Sequence, residues 1–181
     1  MHVVGVDLSG PANTKDTSIA VFEAADSSLI LVEAECDGSD ASVLKLVAEL
    51  SKRDSVVVGL DAPLSYQPGG GLRTRDAELR VRIVACGMRH GSIMPPTLNR
   101  MVYLTLRGMT LARALSNLPS ERQVRVVEVH PGAALCLRGA PIDAVRKFAK
   151  DEDARLELLE WLGTEGIEVT KAPSPCPSSP W

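Results

Sequence analysis

Three acidic residues stand where segments with the composition of buried β-strands come to an end. Asp7 and Asp61 close two nearly apolar runs, and Glu128 interrupts the last residues of a third. Because the carboxyl ends of strands in an open α/β sheet meet at one crevice, we expect the three carboxylates to gather there. Grouped carboxylates repel one another unless a cation lies among them, and their oxygen atoms favour Mg²⁺ or Mn²⁺. We therefore predict that Asp7, Asp61 and Glu128 are catalytic residues that bind metal and support phosphodiester hydrolysis.

The arginines of the chain are concentrated in one segment. Residues 73–113 contain eight arginines and only two acidic residues, so the segment carries a charge of +6 although the whole chain carries −3. The planar guanidinium group matches phosphate oxygens, which favours the backbone of a nucleic acid, DNA or RNA, as the partner. A solvated helix face is the alternative interpretation. The predicted substrate-binding residues are Arg73, Arg75, Arg82, Arg100 and His130, the last of which either orients a water molecule or caps a helix.

Hydrophobic periodicity predicts the elements that would position these side chains. Three strands in a meander come first, followed by a helix, a fourth strand, two helices, a fifth strand and two more helices. The crossover helix before the fourth strand indicates that this strand lies parallel to the first. The predicted strands cover residues 3–8, 17–22, 29–35, 55–60 and 124–129. The first predicted helix begins at Ser39 or Asp40, and the later helices cover residues 74–88, 98–118, 131–139 and 143–162.

This order predicts a mixed five-stranded sheet in a three-layer α/β fold with helices on both faces. It is the layout of the ribonuclease H-like fold, which actin-like and sugar-kinase ATPases share, so the fold does not by itself settle the function. The predicted domain covers residues 1–169. Residues 170–181 contain four prolines and three serines, and this composition predicts a disordered tail.

Four short segments carry a family resemblance: Gly-Val-Asp-Leu-Ser at 5–9, Gly-Leu-Asp-Ala-Pro-Leu at 59–64, Met-Pro-Pro-Thr at 94–97 and Glu-Val-His-Pro-Gly-Ala at 128–133. Together they resemble an uncharacterised family, the domain of unknown function 429, whose members are described as predicted ribonuclease H-like nucleases. The resemblance implies metal-dependent phosphodiester hydrolysis at Asp7, Asp61 and Glu128. Such proteins usually end with a further helix that carries an aspartate, whereas no aspartate follows Asp153 here. We therefore expect the last family helix to be missing and the acidic site to be incomplete.

Composition and hydropathy limit the class of protein. No apolar run approaches the ~18–20 residues that span a bilayer. The first residues also lack the basic and apolar regions of a signal peptide. We therefore predict a cytoplasmic protein without a membrane partner, for which a homo-oligomer is compatible with the sequence.

Two other functions fit the same residues. Ser9, Gly10 and Lys15 would form a phosphate-binding loop in an actin-like nucleotide-binding or phosphotransfer protein, although the chain is too short for the two repeated domains that usually enclose ATP. A non-catalytic module that binds nucleic acid or protein would keep the fold without the last acid. A single aspartate at a strand end is more often a turn former or a helix cap than a metal ligand. The nuclease hypothesis therefore depends on the carboxylates lying together.

Overall fold

A six-stranded mixed sheet forms the centre of the molecule. The computed structural model describes residues 1–169, with the exception of the side chain of Thr14. The strands are β1 (His2–Asp7), β2 (Ser18–Ala25), β3 (Ser28–Cys36), β4 (Val56–Leu60), β5 (Val124–Glu128) and β6 (Ile167–Glu168). Across the sheet their order is β5-β4-β1-β2-β3-β6. Strands β1, β2 and β3 form an antiparallel meander, whereas β4 and β5 run parallel to β1, and β6 runs parallel to β3.

The five predicted strands are all present, which confirms the mixed α/β class, but the predicted number of strands is wrong. The sixth strand, β6, has two residues and pairs with Leu29 and Ile30 at the beginning of β3. A strand this short leaves no alternating pattern in the sequence. The tail predicted at residues 170–181 lies outside the described residues.

The described part of the chain also contains six α-helices and two short 3-10 segments. None of these helices has both the length and the apolar character needed to cross a membrane. The helices are α1 (Asp40–Ser51), α2 (Thr74–Ala85), α3 (Asn99–Ser116), α4 (Pro131–Leu137), α5 (Ile142–Lys147) and α6 (Glu152–Thr164), and the 3-10 segments are Pro11–Asp16 and His90–Ser92.

Side-chain caps set the beginnings of α1 and α6. The hydroxyl oxygen of Ser39 accepts a hydrogen bond from the N–H of Ser42 over 3.0 Å, so the predicted start of α1 is confirmed. The single helix predicted at residues 143–162 is wrong, because the chain leaves the helical conformation after α5. Asp151 begins α6, and its carboxylate accepts from the N–H of Ala154 over 3.3 Å. An aspartate at this position caps a new helix in preference to continuing the old one.

Helices α1 and α3 cover one face of the sheet. Alternate residues of β1 and β4 point toward these helices, and Val4, Val58 and Leu60 are completely buried there. Aromatic residues make up 3% of the chain, so aliphatic side chains supply this core, each contributing about 1.5–3 kcal/mol by burial. The helices add Val43, Val47, Leu111 and Leu115 to the same cluster.

The opposite face of the sheet is open among the described residues. Gly5 and Gly59 lie opposite each other on neighbouring strands, and together with Val57 and Val127 they line a cleft of about 640 Å³. Helix α4 contributes only its first residue, Pro131, to the border of this cleft. The expected layer of helices on this face is therefore incomplete within the described part of the chain.

Helix α3 approaches the end of β4 closely at Gly108. A Cβ atom at this position would lie 2.8 Å from the Cβ atom of Ala62 and 3.1 Å from the carbonyl oxygen of Pro63. Only glycine allows this approach without a shift of the backbone. The contact fixes the segment that directly follows Asp61.

We expect Gly108→Ala to lower the free energy of unfolding by about 1–3 kcal/mol, because overpacking outweighs the ~1 kcal/mol that alanine gains over glycine in a helix. Gly163→Ala in α6 is the matched control, since a Cβ atom there meets nothing within 4 Å, and it should raise this free energy by about 0.5–1 kcal/mol. Urea unfolding followed by circular dichroism measures both changes. An equal gain in the two variants would contradict the close approach.

Candidate functional site

The register of two neighbouring strands brings Asp7 and Asp61 side by side. Gly5 lies opposite Gly59 in the parallel ladder between β1 and β4, so Asp7 and Asp61, two residues further on, reach the same level and the same face. The N–H of Asp61 donates to the carbonyl oxygen of Val6 over 2.9 Å, which extends the ladder to this level. Both aspartates line the open cleft. The structure thus brings these two predicted residues together, and their role as metal ligands stays a prediction.

Burial and mutual repulsion make both aspartates weaker acids. Asp7 keeps contact with solvent, yet the neighbouring protein atoms remove enough of its hydration to raise its pKa. The pKa of Asp61 is raised to about 6, first by burial and then by the negative charge of Asp7, while His130 acts in the opposite direction. Ionising both carboxylates therefore costs free energy, and a cation beside them would offset that cost.

Neither carboxylate has a hydrogen-bond donor or an ion-pair partner within the described residues. No group of three or more histidine, cysteine, aspartate or glutamate side chains in residues 1–169 is arranged to hold a metal ion. Two carboxylates nevertheless fit Mg²⁺, which commonly takes one or two protein carboxylates and completes its shell with water and phosphate oxygens. Asp7 and Asp61 therefore fit an ion of the Mg²⁺ type better than a closed zinc site, which needs four protein ligands.

The third predicted carboxylate, Glu128, leaves its strand on the other face of the sheet from the two aspartates. Its partner in the parallel ladder between β4 and β5 is Leu60, not Asp61. Since side chains alternate between the faces of a strand, Glu128 belongs to the same face as Val124 and Val126, which pack on the covered core. The two aspartates belong to the open face. All three predicted residues border a second cavity of about 450 Å³, but they reach it from different sides.

Arg73 binds the Glu128 carboxylate in a bidentate ion pair. The Nη1 atom of Arg73 donates to Oε2 of Glu128 over 2.8 Å, and Nη2 donates to Oε1. The Nε and Nη2 atoms also donate to the carboxylate of Asp76 over 2.8 and 2.6 Å, and Nη1 donates to the hydroxyl of Ser65 over 2.9 Å. These carboxylates raise the pKa of Arg73. Every N–H of this side chain is engaged, so Arg73, which the sequence predicts to bind substrate, has no free donor for a phosphate.

His130 caps helix α4. Its Nδ1 atom accepts from the N–H of Ala133 over 3.2 Å, and its Nε2 atom lies 2.9 Å from the carbonyl oxygen of Ser92. Because a carbonyl oxygen only accepts, Nε2 carries the proton and His130 is the Nε2–H tautomer. Both ring nitrogens are therefore used, which favours the capping role over the predicted orientation of a water molecule.

The other predicted arginines lie on the surface of helices α2 and α3. Arg75 is 89% exposed and pairs with Glu78 over 2.7 Å. Arg82 and Arg100 are exposed, and neither has an ion-pair partner within the described residues. These two side chains are therefore free to meet an external anion.

A buried arginine beside the site, Arg107, was not predicted from the sequence. Its side chain is 4% exposed and pairs with Asp40 through Nε, over 2.8 Å. Its Nη1 atom donates to the carbonyl oxygen of Ser9 over 2.7 Å and to the hydroxyl of Thr17 over 2.9 Å. Arg107 thus ties α3 to the loop that follows Asp7. The available signal was its position among apolar residues on the core side of the helix.

At the alternative phosphate loop of Ser9, Gly10 and Lys15, the donors of Ser9 are already engaged. The N–H of Ser9 donates to the hydroxyl of Thr17 over 3.3 Å, and the hydroxyl of Ser9 donates to the carbonyl oxygen of Asn13 over 2.6 Å. Ser9 therefore uses its polar hydrogens within the loop and offers none to a nucleotide.

Comparison with known proteins gives a family match. The family model described as a protein of unknown function (DUF429) matches residues 5–177, which is nearly the whole sequence. No curated protein matches the chain.

The raised pKa of Asp61 predicts how stability depends on pH. The folded protein holds the Asp61 proton up to a pKa of about 6 against an ordinary value of 3.8, so the contribution of this group to stability is complete below pH 4 and is lost as the pH rises through 6. Asp61→Asn removes this loss, and the variant should exceed the native protein by about 1–3 kcal/mol at pH 8. Urea unfolding at pH 4 and pH 8 measures the difference, with the exposed Asp153→Asn as the control. A pH-independent difference between native protein and Asp61→Asn would contradict the prediction.

Proposed function

The chain belongs to the family of proteins of unknown function DUF429, and we propose that it is a nuclease that hydrolyses nucleic-acid phosphodiester bonds with Mg²⁺ or Mn²⁺. The observation that carries this proposal is the pair Asp7 and Asp61. Two carboxylates without donors lie level with each other at the ends of adjacent parallel strands, on the open face of the sheet. Such a pair is a suitable ligand set for a divalent ion that also contacts phosphate.

Asp7 and Asp61 would hold the cation at the end of the cleft. A bound Mg²⁺ would supply the polarisation of a phosphate oxygen and a more acidic water molecule. Other contacts in the chain hold the two segments that carry these aspartates. The ladder hydrogen bond from Asp61 to Val6 holds the backbone that carries one carboxylate, and the contact of Arg107 with Ser9 holds the loop that follows the other.

Exposed arginines would bind the phosphates on either side of the cleaved bond. Helices α2 and α3 both reach the cavity that contains the aspartates, α2 through Asp76 and α3 through Met101 and Leu104. Arg82 and Arg100 are carried on these two helices and have no partner of their own among the described residues. Their charges would add a salt-dependent attraction to any nucleic acid.

The topology agrees with a ribonuclease H-like fold, which is part of the proposal. Three antiparallel strands precede two strands that are added in parallel on the side of β1. In this arrangement the carboxyl ends of β1 and β4 share one edge, where the aspartates lie. An actin-like nucleotide-binding protein is less well supported, since Ser9 has no free donor for a phosphate.

The first test is cleavage of labelled oligonucleotides, single-stranded and duplex, DNA and RNA. We expect cleavage with Mg²⁺ or Mn²⁺ and none with chelator, and a loss of about a hundredfold or more in rate for Asp7→Asn and for Asp61→Asn, since each removes charge that holds the metal. Asp153→Asn, exposed at the start of α6, is the matched control and should keep full activity. Absence of cleavage by the native protein with either metal would exclude the nuclease and leave the non-catalytic binding module.

The second test concerns the arginines. Arg82→Gln and Arg100→Gln should each weaken binding to a fluorescent oligonucleotide in the absence of cleavage, and each should reduce the slope of log affinity against log salt by about 1. Arg53→Gln is the control. Arg53 is exposed and lies before the amino end of β4, whereas Asp61 follows the carboxyl end of the same strand. Fluorescence anisotropy in 50 to 300 mM salt measures the effect. Equal losses in all three variants would show that only the overall charge matters.

A further inference from the structure

The side of the sheet that each carboxylate faces determines which of them can share a cation. Asp7 and Asp61 lie level with each other on the open face. Glu128 is level with Leu60 and so belongs to the covered face. A change of one residue in the register of β5 would be needed to place Glu128 beside the aspartates, and it would also turn Val124 and Val126 out of the core.

Both carboxylate oxygens of Glu128 are also engaged by other groups. Oε1 accepts from Nη2 of Arg73, and Oε2 accepts from Nη1 of Arg73 and from the N–H of Leu64, both over 2.8 Å. Two parallel charge-assisted hydrogen bonds are among the strongest side-chain pairs. Metal binding at Glu128 would require the loss of this pair and would leave the guanidinium of Arg73 with Asp76 as its only carboxylate partner among the described residues.

The charges around the two positions are balanced in different ways. At Glu128, the cation is already present as Arg73, whose side chain is 18% exposed. At Asp7 and Asp61, neither carboxylate has an arginine or lysine partner among the described residues. A single divalent ion would neutralise the aspartate pair, whereas a second ion near Glu128 would meet a positive guanidinium group.

We propose that the chain binds one divalent cation, at Asp7 and Asp61, and that Glu128 is a structural partner of Arg73, its built-in cation, and not a metal ligand. This inference rests on the proposed metal site and specifies its ligands. Glu128 is then a positioning residue. Through Leu64 and Arg73 it joins the end of β5 to the segment after Asp61 and to the first turn of α2.

The test is a titration of the full chain with Mn²⁺, in which electron paramagnetic resonance measures the free ion. We expect one Mn²⁺ per native chain. Asp7→Asn and Asp61→Asn should each weaken Mn²⁺ binding by about tenfold or more, because each removes a charged ligand, and Glu128→Gln should change it by less than about threefold. Glutamine keeps the shape of the side chain and an oxygen acceptor, so this variant is expected to fold.

A second variant distinguishes the built-in cation from a masked metal site. Arg73→Gln frees the Glu128 carboxylate, and we expect the stoichiometry to remain one Mn²⁺ per chain while the midpoint of urea unfolding falls. Appearance of a second bound ion in this variant would show that Glu128 belongs to the metal site and would overturn the inference. Two ions on the native chain, or equal losses in Glu128→Gln and Asp61→Asn, would also overturn it.

The outcomes separate this inference from the proposed nuclease. One Mn²⁺ bound at the aspartates without any cleavage of nucleic acid would support the single-cation site and reject the nuclease. Cleavage with two bound ions would support the nuclease and reject the single-cation site. A native chain that binds no Mn²⁺ would overturn both proposals.

Discussion

The repulsion between two partly buried carboxylates is the constraint on which the site depends. Asp7 and Asp61 lie side by side without a hydrogen-bond donor or an ion-pair partner among the described residues, and Asp7 contributes to the raised pKa of Asp61. A pair of this kind lowers the stability of the fold at neutral pH. The remainder of the sheet must offset the loss, and it does so through the aliphatic core on the opposite face.

The two partly or fully buried arginines near the site are held by other groups, whereas the aspartate pair is not. Arg107 is held by Asp40 and by the loop after Asp7, while Arg73 is held by Asp76 and Glu128. Neither guanidinium group reaches the aspartate pair. The unbalanced negative charge is therefore confined to one end of the open cleft, where a diffusing cation can approach.

Much of this arrangement follows from the sequence, and the remainder depends on tertiary contacts. Apolar runs located five strands, and the ends of two of them located Asp7 and Asp61. The strand β6 and the break before Asp151 were missed because two residues give no period and because a capping aspartate resembles any other acid in a helical pattern. The side faced by Glu128 depends on the register between β4 and β5, which no property of either strand alone determines. The partners of Arg73 and Arg107 are distant in the sequence and could be identified only in three dimensions.

One face of the sheet packs the core and the other lines the cleft, and this affects which substitutions the chain tolerates. In β1 and β4, residues that hold the core alternate with residues that line the cleft, so stability and chemistry occupy alternate positions of the same strand. Val6 and Leu60 serve the first purpose, and Asp7 and Asp61 serve the second. A family with this sheet can therefore lose or exchange its chemistry by single substitutions and still inherit the fold intact.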